Sequence, residues 1–276
     1  MFRISHNNTM LKLFDVTLRD GLQSVSKIYN LTEKKEILRN IILKRPQAIE
    51  IGSLVSSKIL PQMNNSLELY QEGKEYNAIL GNSIDLYLLI PNLKGLELAS
   101  MNNIDNFSFI TSVSDSFQKK NIGKTLVETK GQLRQMIQND IITADKKIKL
   151  YISCITDCPI QGKINYTKII DEILYYYYSY ENLDELCLSD TCGTLQYDKF
   201  KRIIKELEKR QVDIGKFSLH LHNQENKQNI QDIILYAMKK GIYRFDVSNM
   251  PELGGCSVTM KNTKGNLSYE QIYNCL

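Results

Sequence analysis

Two of the chain's three histidines, His220 and His222, lie two residues apart in the stretch Phe217-Ser-Leu-His-Leu-His-Asn223. Its Phe and Leu residues, with Gly215 before and a polar run after, read as a short strand. Side chains at i and i+2 of a strand point to the same face, so both imidazoles aim at one spot. Two imidazoles on one face make half of a divalent-metal site. The competing reading is a satisfied core histidine beside an incidental one. Other residues able to do chemistry are scattered along the chain: Arg19-Asp20-Gly21, Glu50, Cys154, Asp190, Cys256 behind two glycines, and Asn266.

Short apolar runs alternate with segments of helical period along the whole chain. The strands predicted are Lys12–Thr17, Ala48–Gly52, Ile84–Ile90, Phe107–Ser112, Ile148–Cys154, Glu185–Ser189, Phe217–His222 and Arg244–Ser248. The helices predicted are Thr32–Lys44, Ser66–Tyr76, Leu93–Met101, Val127–Thr143, Thr167–Tyr178, Tyr197–Arg210, Asn226–Lys239 and one beginning at Ser268. Such alternation implies parallel strands, and eight units imply one α/β domain over residues 1–276, a (β/α)8 TIM barrel. An open doubly wound sheet is the runner-up, but no Gly-x-Gly-x-x-Gly turn follows the first strand. A barrel of this kind carries its active site at the C-terminal ends of the strands. The residues named above fall at those ends, a coincidence that purely structural roles explain poorly.

Composition excludes several classes. A net charge of +4 is spread among 31 acidic residues without a basic stripe, which argues against nucleic-acid binding. No apolar run reaches the ~18 residues of a membrane span. Six scattered cysteines in 276 residues suit reduced cytoplasmic thiols rather than a disulfide framework. The tyrosine-rich run Leu174 to Tyr180 reads as a packed helix face.

The ordered motifs Asp15-Val-Thr-Leu-Arg-Asp-Gly-Leu-Gln23, His220-Leu-His-Asn223 and Leu253-Gly-Gly-Cys256 resemble those of HMG-CoA lyase. That family sits in a superfamily of metal-dependent barrels with isopropylmalate and homocitrate synthases. Ser53-Leu-Val-Ser-Ser-Lys58, Pro91-Asn-Leu-Lys-Gly95, Tyr151-Ile-Ser-Cys154 and Gly265-Asn-Leu267 extend the match from about Lys12 to the C-terminus. Gly-Gly-Cys favours the lyase over the synthases. The resemblance implies cleavage of 3-hydroxy-3-methylglutaryl-CoA to acetyl-CoA and acetoacetate, with Mg²⁺ or Mn²⁺ held by Asp20, His220, His222 and Asn266. It implies that Arg19 steadies the enolate oxygen, that His220 or Asp20 takes the hydroxyl proton, and that Cys256 protonates the carbanion. Glu50 and Asp190 would orient metal ligands or waters. The alternatives are a related aldolase or Claisen-type condensing enzyme, and an inactive barrel.

The chain departs from that pattern in places. After Asp190 it reads Thr-Cys-Gly-Thr-Leu-Gln-Tyr197, keeping Gly193 but lacking the family's later glycine and proline. Asn223 and Asn226 stand where the family has aspartate and glycine, and asparagine tolerates the left-handed turn that glycine would take. Ser257 and Val258 replace a proline and an aromatic. The eighth helix is short, so part of the barrel wall would be covered by a second copy of the chain in a homodimer.

Overall fold

The computed structural model describes residues 10–81, 83–255, 258 and 265–276. Eight parallel strands close a barrel: β1 Lys12–Asp15, β2 Ala48–Ser53, β3 Asp85–Leu89, β4 Asn106–Ser112, β5 Lys147–Ser153, β6 Glu185–Ser189, β7 Phe217–His220 and β8 Arg244–Val247. Closure is made by β1, which pairs with β8 on one side and β2 on the other. The helices are α1 Leu31–Leu43, α2 Ser66–Ile79, α3 Leu93–Met101, α4 Asp115–Ile122, α5 Leu126–Ile137, α6 Tyr166–Ser179, α7 Tyr197–Lys209, α8 Lys227–Lys239 and α9 Tyr269–Tyr273.

Helical period decides which face each helix buries. In α7 the residues Phe200, Ile203, Ile204 and Leu207, spaced i, i+3, i+4 and i+7, are all buried. Helix α1 starts one residue before the expected Thr32, and Asn30 caps it. Asn30 Oδ1 accepts from Glu33 N at 3.0 Å and Glu33 Oε2 accepts from Asn30 N at 2.8 Å, a reciprocal capping box. On α6 the tyrosine run splits by face: Tyr176 is buried and pairs its hydroxyl with Thr111 at 2.7 Å, whereas Tyr178 is 61% exposed. Helix α5 stops at Ile137, short of the expected Thr143, and α4 was not anticipated.

The main apolar core lies between the barrel wall and the helices. Inside the barrel, Phe14, Val16, Ala48 and Tyr87 form a small separate cluster. Much of the remaining interior is polar, with Glu50, Ser108, Lys149, Asp246 and His220 all buried. Barrel interiors are ordinarily filled with branched apolar side chains, so this polarity marks a site. No helix among the described residues is long and apolar enough to cross a membrane. Cys154, Cys158, Cys187 and Cys275 are free thiols.

Candidate active site

A cavity of about 580 Å³ opens at the C-terminal ends of the strands, lined by Arg19, Asp20, Tyr151, His220, His222 and Gly255 among others. A shallow hollow of about 590 Å³ between the ends of α5 and α6 is remote from these residues. Within the first cavity, one ligand atom each from Asp20, His220 and His222 lies within 4.8 Å of the others.

The chain puts Arg19 and Asp20 there by a turn the sequence did not announce. Adjacent residues on a strand point to opposite faces. After β1 the backbone instead winds through one π-helical turn, Thr17–Gly21, in which every residue is buried. Such turns are rare and recur at functional sites. Arg19 donates from Nη1 to Asp20 Oδ1 at 2.7 Å and from Nε to Glu50 Oε2 at 2.5 Å. Tyr151 donates to the same Glu50 oxygen at 3.1 Å and lies under the guanidinium at 5.0 Å, while Ser108 donates to the other Glu50 oxygen. Glu50 therefore anchors Arg19 rather than touching the histidines.

Strand β7 ends at His220, two residues sooner than expected. His222 instead forms an isolated bridge with Asn266. The two rings still meet edge to face, with centroids 4.9 Å apart. Each histidine has its Nδ1 engaged from outside the cluster. His222 Nδ1 donates to the main-chain carbonyl of Asp190 at 2.9 Å, and His220 Nδ1 donates to Asp246 Oδ2 at 3.0 Å. A carbonyl or carboxylate can only accept, so these partners put the proton of the neutral ring on Nδ1 and leave its lone pair on Nε2. Both Nε2 atoms lie 3.8 Å from Asp20 Oδ2, too far for a hydrogen bond.

The donor set fits a divalent cation. His222 Nε2 and Asn266 Oδ1 are buried without a hydrogen-bond partner. Buried acceptors facing a carboxylate are costly unless a positive charge lies among them. Burial pulls the His222 pKa down, yet the Asp20 carboxylate more than offsets this and leaves it raised. Burial would likewise raise the Asp20 carboxyl, but Arg19 and the two histidines hold it well below the carboxylate range. The cluster thus attracts positive charge, and mixed oxygen and imidazole donors suit a hard or borderline metal.

Asn266 reaches the cluster through glycines. Its Nδ2 donates to Asp20 Oδ2 at 3.0 Å, and Gly255 N donates to the same oxygen at 3.0 Å. Gly254 has φ +142°, and a Cβ there would lie 2.5 Å from Asn266 Nδ2. Gly265 has φ +78°, and a Cβ there would stand 2.1 Å from the Pro251 carbonyl. Both positions are closed to other residues. Cys256, next in the chain, lies outside the described residues, as does Ser257.

Asp190 acts through its backbone and its loop. Its carboxylate accepts from Thr194 N at 3.0 Å, Leu195 N at 2.9 Å and Thr156 Oγ1 at 3.1 Å. It thereby closes the turn around Gly193, whose φ of +63° is the left-handed conformation that glycine adopts without strain. Asn226 does not take the left-handed turn expected of it: with φ −80° it caps α8, accepting from Asn229 N at 3.2 Å. Tyr151, Lys149 and Asp246 were missed by the sequence reading. The available signal was a polar side chain inside an otherwise apolar strand, as in Ile148-Lys-Leu-Tyr-Ile152 and Phe245-Asp-Val247.

Fold and cluster together define a class: a (β/α)8 barrel with a candidate divalent-metal site at the C-terminal mouth. The chain belongs to the HMGL-like family, which matches residues 10–271. Cytoplasmic 3-hydroxy-3-methylglutaryl-CoA lyase of Mus musculus is 28% identical over 264 residues, covering 95% of this chain and 73% of that protein. The human mitochondrial lyase is 27% identical, covering 95% of this chain and 77% of its own length. The HMG-CoA lyase structure from Brucella melitensis superposes with a TM-score of 0.80 at 25% identity, covering 96% of this chain and 89% of that one. The Acinetobacter baumannii lyase, solved with coenzyme A and 3-methylmalate, shares the fold with a TM-score of 0.81 at 23% identity, covering 96% and 82%.

Proposed function

We propose that this protein cleaves 3-hydroxy-3-methylglutaryl-CoA to acetyl-CoA and acetoacetate, using Mg²⁺ or Mn²⁺ held by Asp20, His220, His222 and Asn266. It is a carbon–carbon lyase of the HMG-CoA lyase type. The observation that carries the reading is the convergence of unpaired His222 Nε2 and Asn266 Oδ1 on the Asp20 carboxylate beneath Arg19. The relatives named as HMG-CoA lyases support the substrate class.

A bound divalent ion would supply Lewis acidity toward the oxygens of the substrate. The chain's own residues account for the rest. Retro-aldol cleavage breaks the bond between C2 and C3; the O–H electron pair of the tertiary alcohol becomes the ketone, and the C–C pair becomes the thioester enolate. Arg19 commits two of its five N–H donors to carboxylates, and the others serve the enolate oxygen, the kind of fixed charge that lowers such a barrier most. Asp20 or His220 receives the hydroxyl proton. The four hydrogen bonds that Asp20 accepts, from Arg19, Gln23, Gly255 and Asn266, make it the weaker base. Cys256 returns one proton to the acetyl carbon, so protons balance over the turnover.

Glu50 holds Arg19 in place, and Asp190 holds His222 through its carbonyl. The cytoplasmic relatives and the free thiols support a cytoplasmic setting. The reading is tested by incubating the protein with 3-hydroxy-3-methylglutaryl-CoA, Mg²⁺ or Mn²⁺ and a thiol reductant. Metal-dependent, EDTA-sensitive acetoacetate is expected. No acetoacetate with either metal, at substrate concentrations that saturate binding, overturns it.

A further inference from the structure

A file of alternating charges crosses the barrel interior beneath the metal cluster. It begins near the N-terminal ends of the strands, where Arg244 Nη1 lies 3.7 Å from Glu185 Oε2. Glu185 Oε1 is 2.8 Å from Lys149 Nζ. Lys149, entirely buried, reaches across the barrel from β5 to pair with Asp246 Oδ1 on β8. The other oxygen, Asp246 Oδ2, accepts from His220 Nδ1 at 3.0 Å. The alternation + − + − ends on a histidine whose free nitrogen faces the site.

Placing the fully buried Lys149 and Asp246 inside a barrel, with Glu185 and Arg244 part-exposed at its rim, is expensive, and apolar residues of the same volume would serve stability as well or better. Folding alone therefore does not explain the file. Its geometry favours one use. An imidazole whose Nδ1–H is held by a fixed carboxylate has one tautomer and one ring orientation, with Nε2 kept as the donor. Register supports this: Phe245 of β8 pairs with Leu219 of β7, so Asp246 and His220 follow side by side on adjacent strands with both side chains inward. Lys149 supplies the charge that keeps Asp246 a carboxylate in a dry interior; burial would raise that carboxyl, but Lys149 and His220 hold it below its usual range.

We propose that Asp246 is a positioning residue for metal binding, fixing His220 with Nε2 toward the site, and that Lys149 holds the Asp246 carboxylate in place from across the barrel. The proposal rests on the metal-site reading above. It assigns a role to two residues that make no contact with substrate or metal.

The test uses the full chain and Mn²⁺ alone, followed by electron paramagnetic resonance. Asp246→Leu removes the acceptor and is expected to weaken Mn²⁺ binding by about 10- to 100-fold, the usual cost of losing such a partner. Asp246→Asn keeps an acceptor oxygen and is expected to recover most of that affinity. Because Asp246→Leu strands a buried lysine, the double variant Lys149→Met/Asp246→Leu is made beside it. That pair removes both charges of the fully buried contact and leaves the part-exposed Glu185 with Arg244, so it is expected to melt closer to wild type than Asp246→Leu and still bind Mn²⁺ weakly. If Asp246 merely neutralises Lys149, the double variant binds Mn²⁺ like wild type, and the proposal is overturned.

A second measurement needs no variant. With three histidines in the chain, ¹⁵N-histidine labelling of the Mg²⁺-loaded protein gives a simple spectrum in which His220 is expected as the Nδ1–H tautomer. The Nε2–H tautomer overturns the proposal even if every variant unfolds. Failure of wild type to bind Mn²⁺ refutes the metal reading itself, a separate outcome from equal binding by wild type and variants.

Discussion

Replacing Arg19 by methionine separates what this residue does for the fold from what it does for the reaction. Arg19 is 4% exposed and faces two carboxylates, Asp20 at 2.7 Å and Glu50 at 2.5 Å, the latter wholly buried. Removing one partner of a buried pair costs roughly 3–5 kcal/mol, because the remaining charge is left uncompensated. In a chain of 276 residues that corresponds to a melting temperature lower by roughly 10 °C. A bound metal ion would compensate Asp20 but not Glu50, whose remaining partners, Ser108 and Tyr151, are neutral hydrogen-bond donors. Adding Glu50→Gln to Arg19→Met should therefore restore most of the lost stability. Turnover should not follow, since the enolate contact is still missing, and one such contact is worth ~10²-fold or more. Thermal melts and acetoacetate formation measured on wild type, Arg19→Met and the double variant decide the matter. An unchanged melting temperature in Arg19→Met would refute the ion-pair argument. Recovery of activity together with stability in the double variant would refute the catalytic one.

Three further outcomes follow from single contacts. Gly254→Ala should keep the barrel but weaken Mn²⁺ binding, because the new Cβ would fall 2.5 Å from Asn266 Nδ2 at φ +142°; unchanged affinity would show that Asn266 is dispensable. Asp15 is buried with Thr17 N at 2.8 Å, Tyr269 Oη at 2.7 Å and Lys44 nearby, and burial raises its carboxyl from 3.8 to about 6. The folded state then binds a proton that the unfolded state releases, so this group's contribution is present below about pH 4 and lost as pH rises through about 6, a change of roughly 3 kcal/mol. Asp15→Asn should melt increasingly above wild type as pH rises across that window, and a pH-independent difference would contradict the burial argument. Cys256→Ser should bind Mn²⁺ normally yet turn over slowly, since a hydroxyl is a far weaker acid than a thiol of pKa ~8.5; full activity would remove Cys256 as proton donor.

The strands were legible because a parallel strand covered on both faces is a short apolar run with few competing readings. Seven of them needed their ends moved by one or two residues, while Glu185–Ser189 matches as expected. Helix α4 was hidden by its polarity: Asp115-Ser-Phe-Gln-Lys-Lys-Asn-Ile122 buries only Phe117 and Gln118 before Gly123 ends it at φ +72°. Of the candidate site, Asp20, His220, His222 and Asn266 could be named from motif and position. The π-helical turn that brings Arg19 and Asp20 to one side could not, because its five residues carry no helical period. Lys149 and Asp246 stand 97 residues apart, and their pairing depends on barrel closure and strand register that no local pattern encodes. The roles of Glu50 and Asp190 likewise depend on the folded arrangement, since a carboxylate in or after a strand reads the same whether it faces a metal, an arginine or a loop.

The central claim is that His222, with Asp20 and His220, holds the metal on which cleavage depends. Equilibrium Mn²⁺ titration of His222→Ala beside wild type tests it most directly, because no other imidazole among the described residues can replace the one removed. A circular dichroism spectrum and melt would confirm that the variant is folded. The expected result is tight binding by wild type and a loss of ~100-fold or more in the variant, in line with removing a ligand rather than a supporting partner. Equal Mn²⁺ affinity in the two folded proteins would contradict the account.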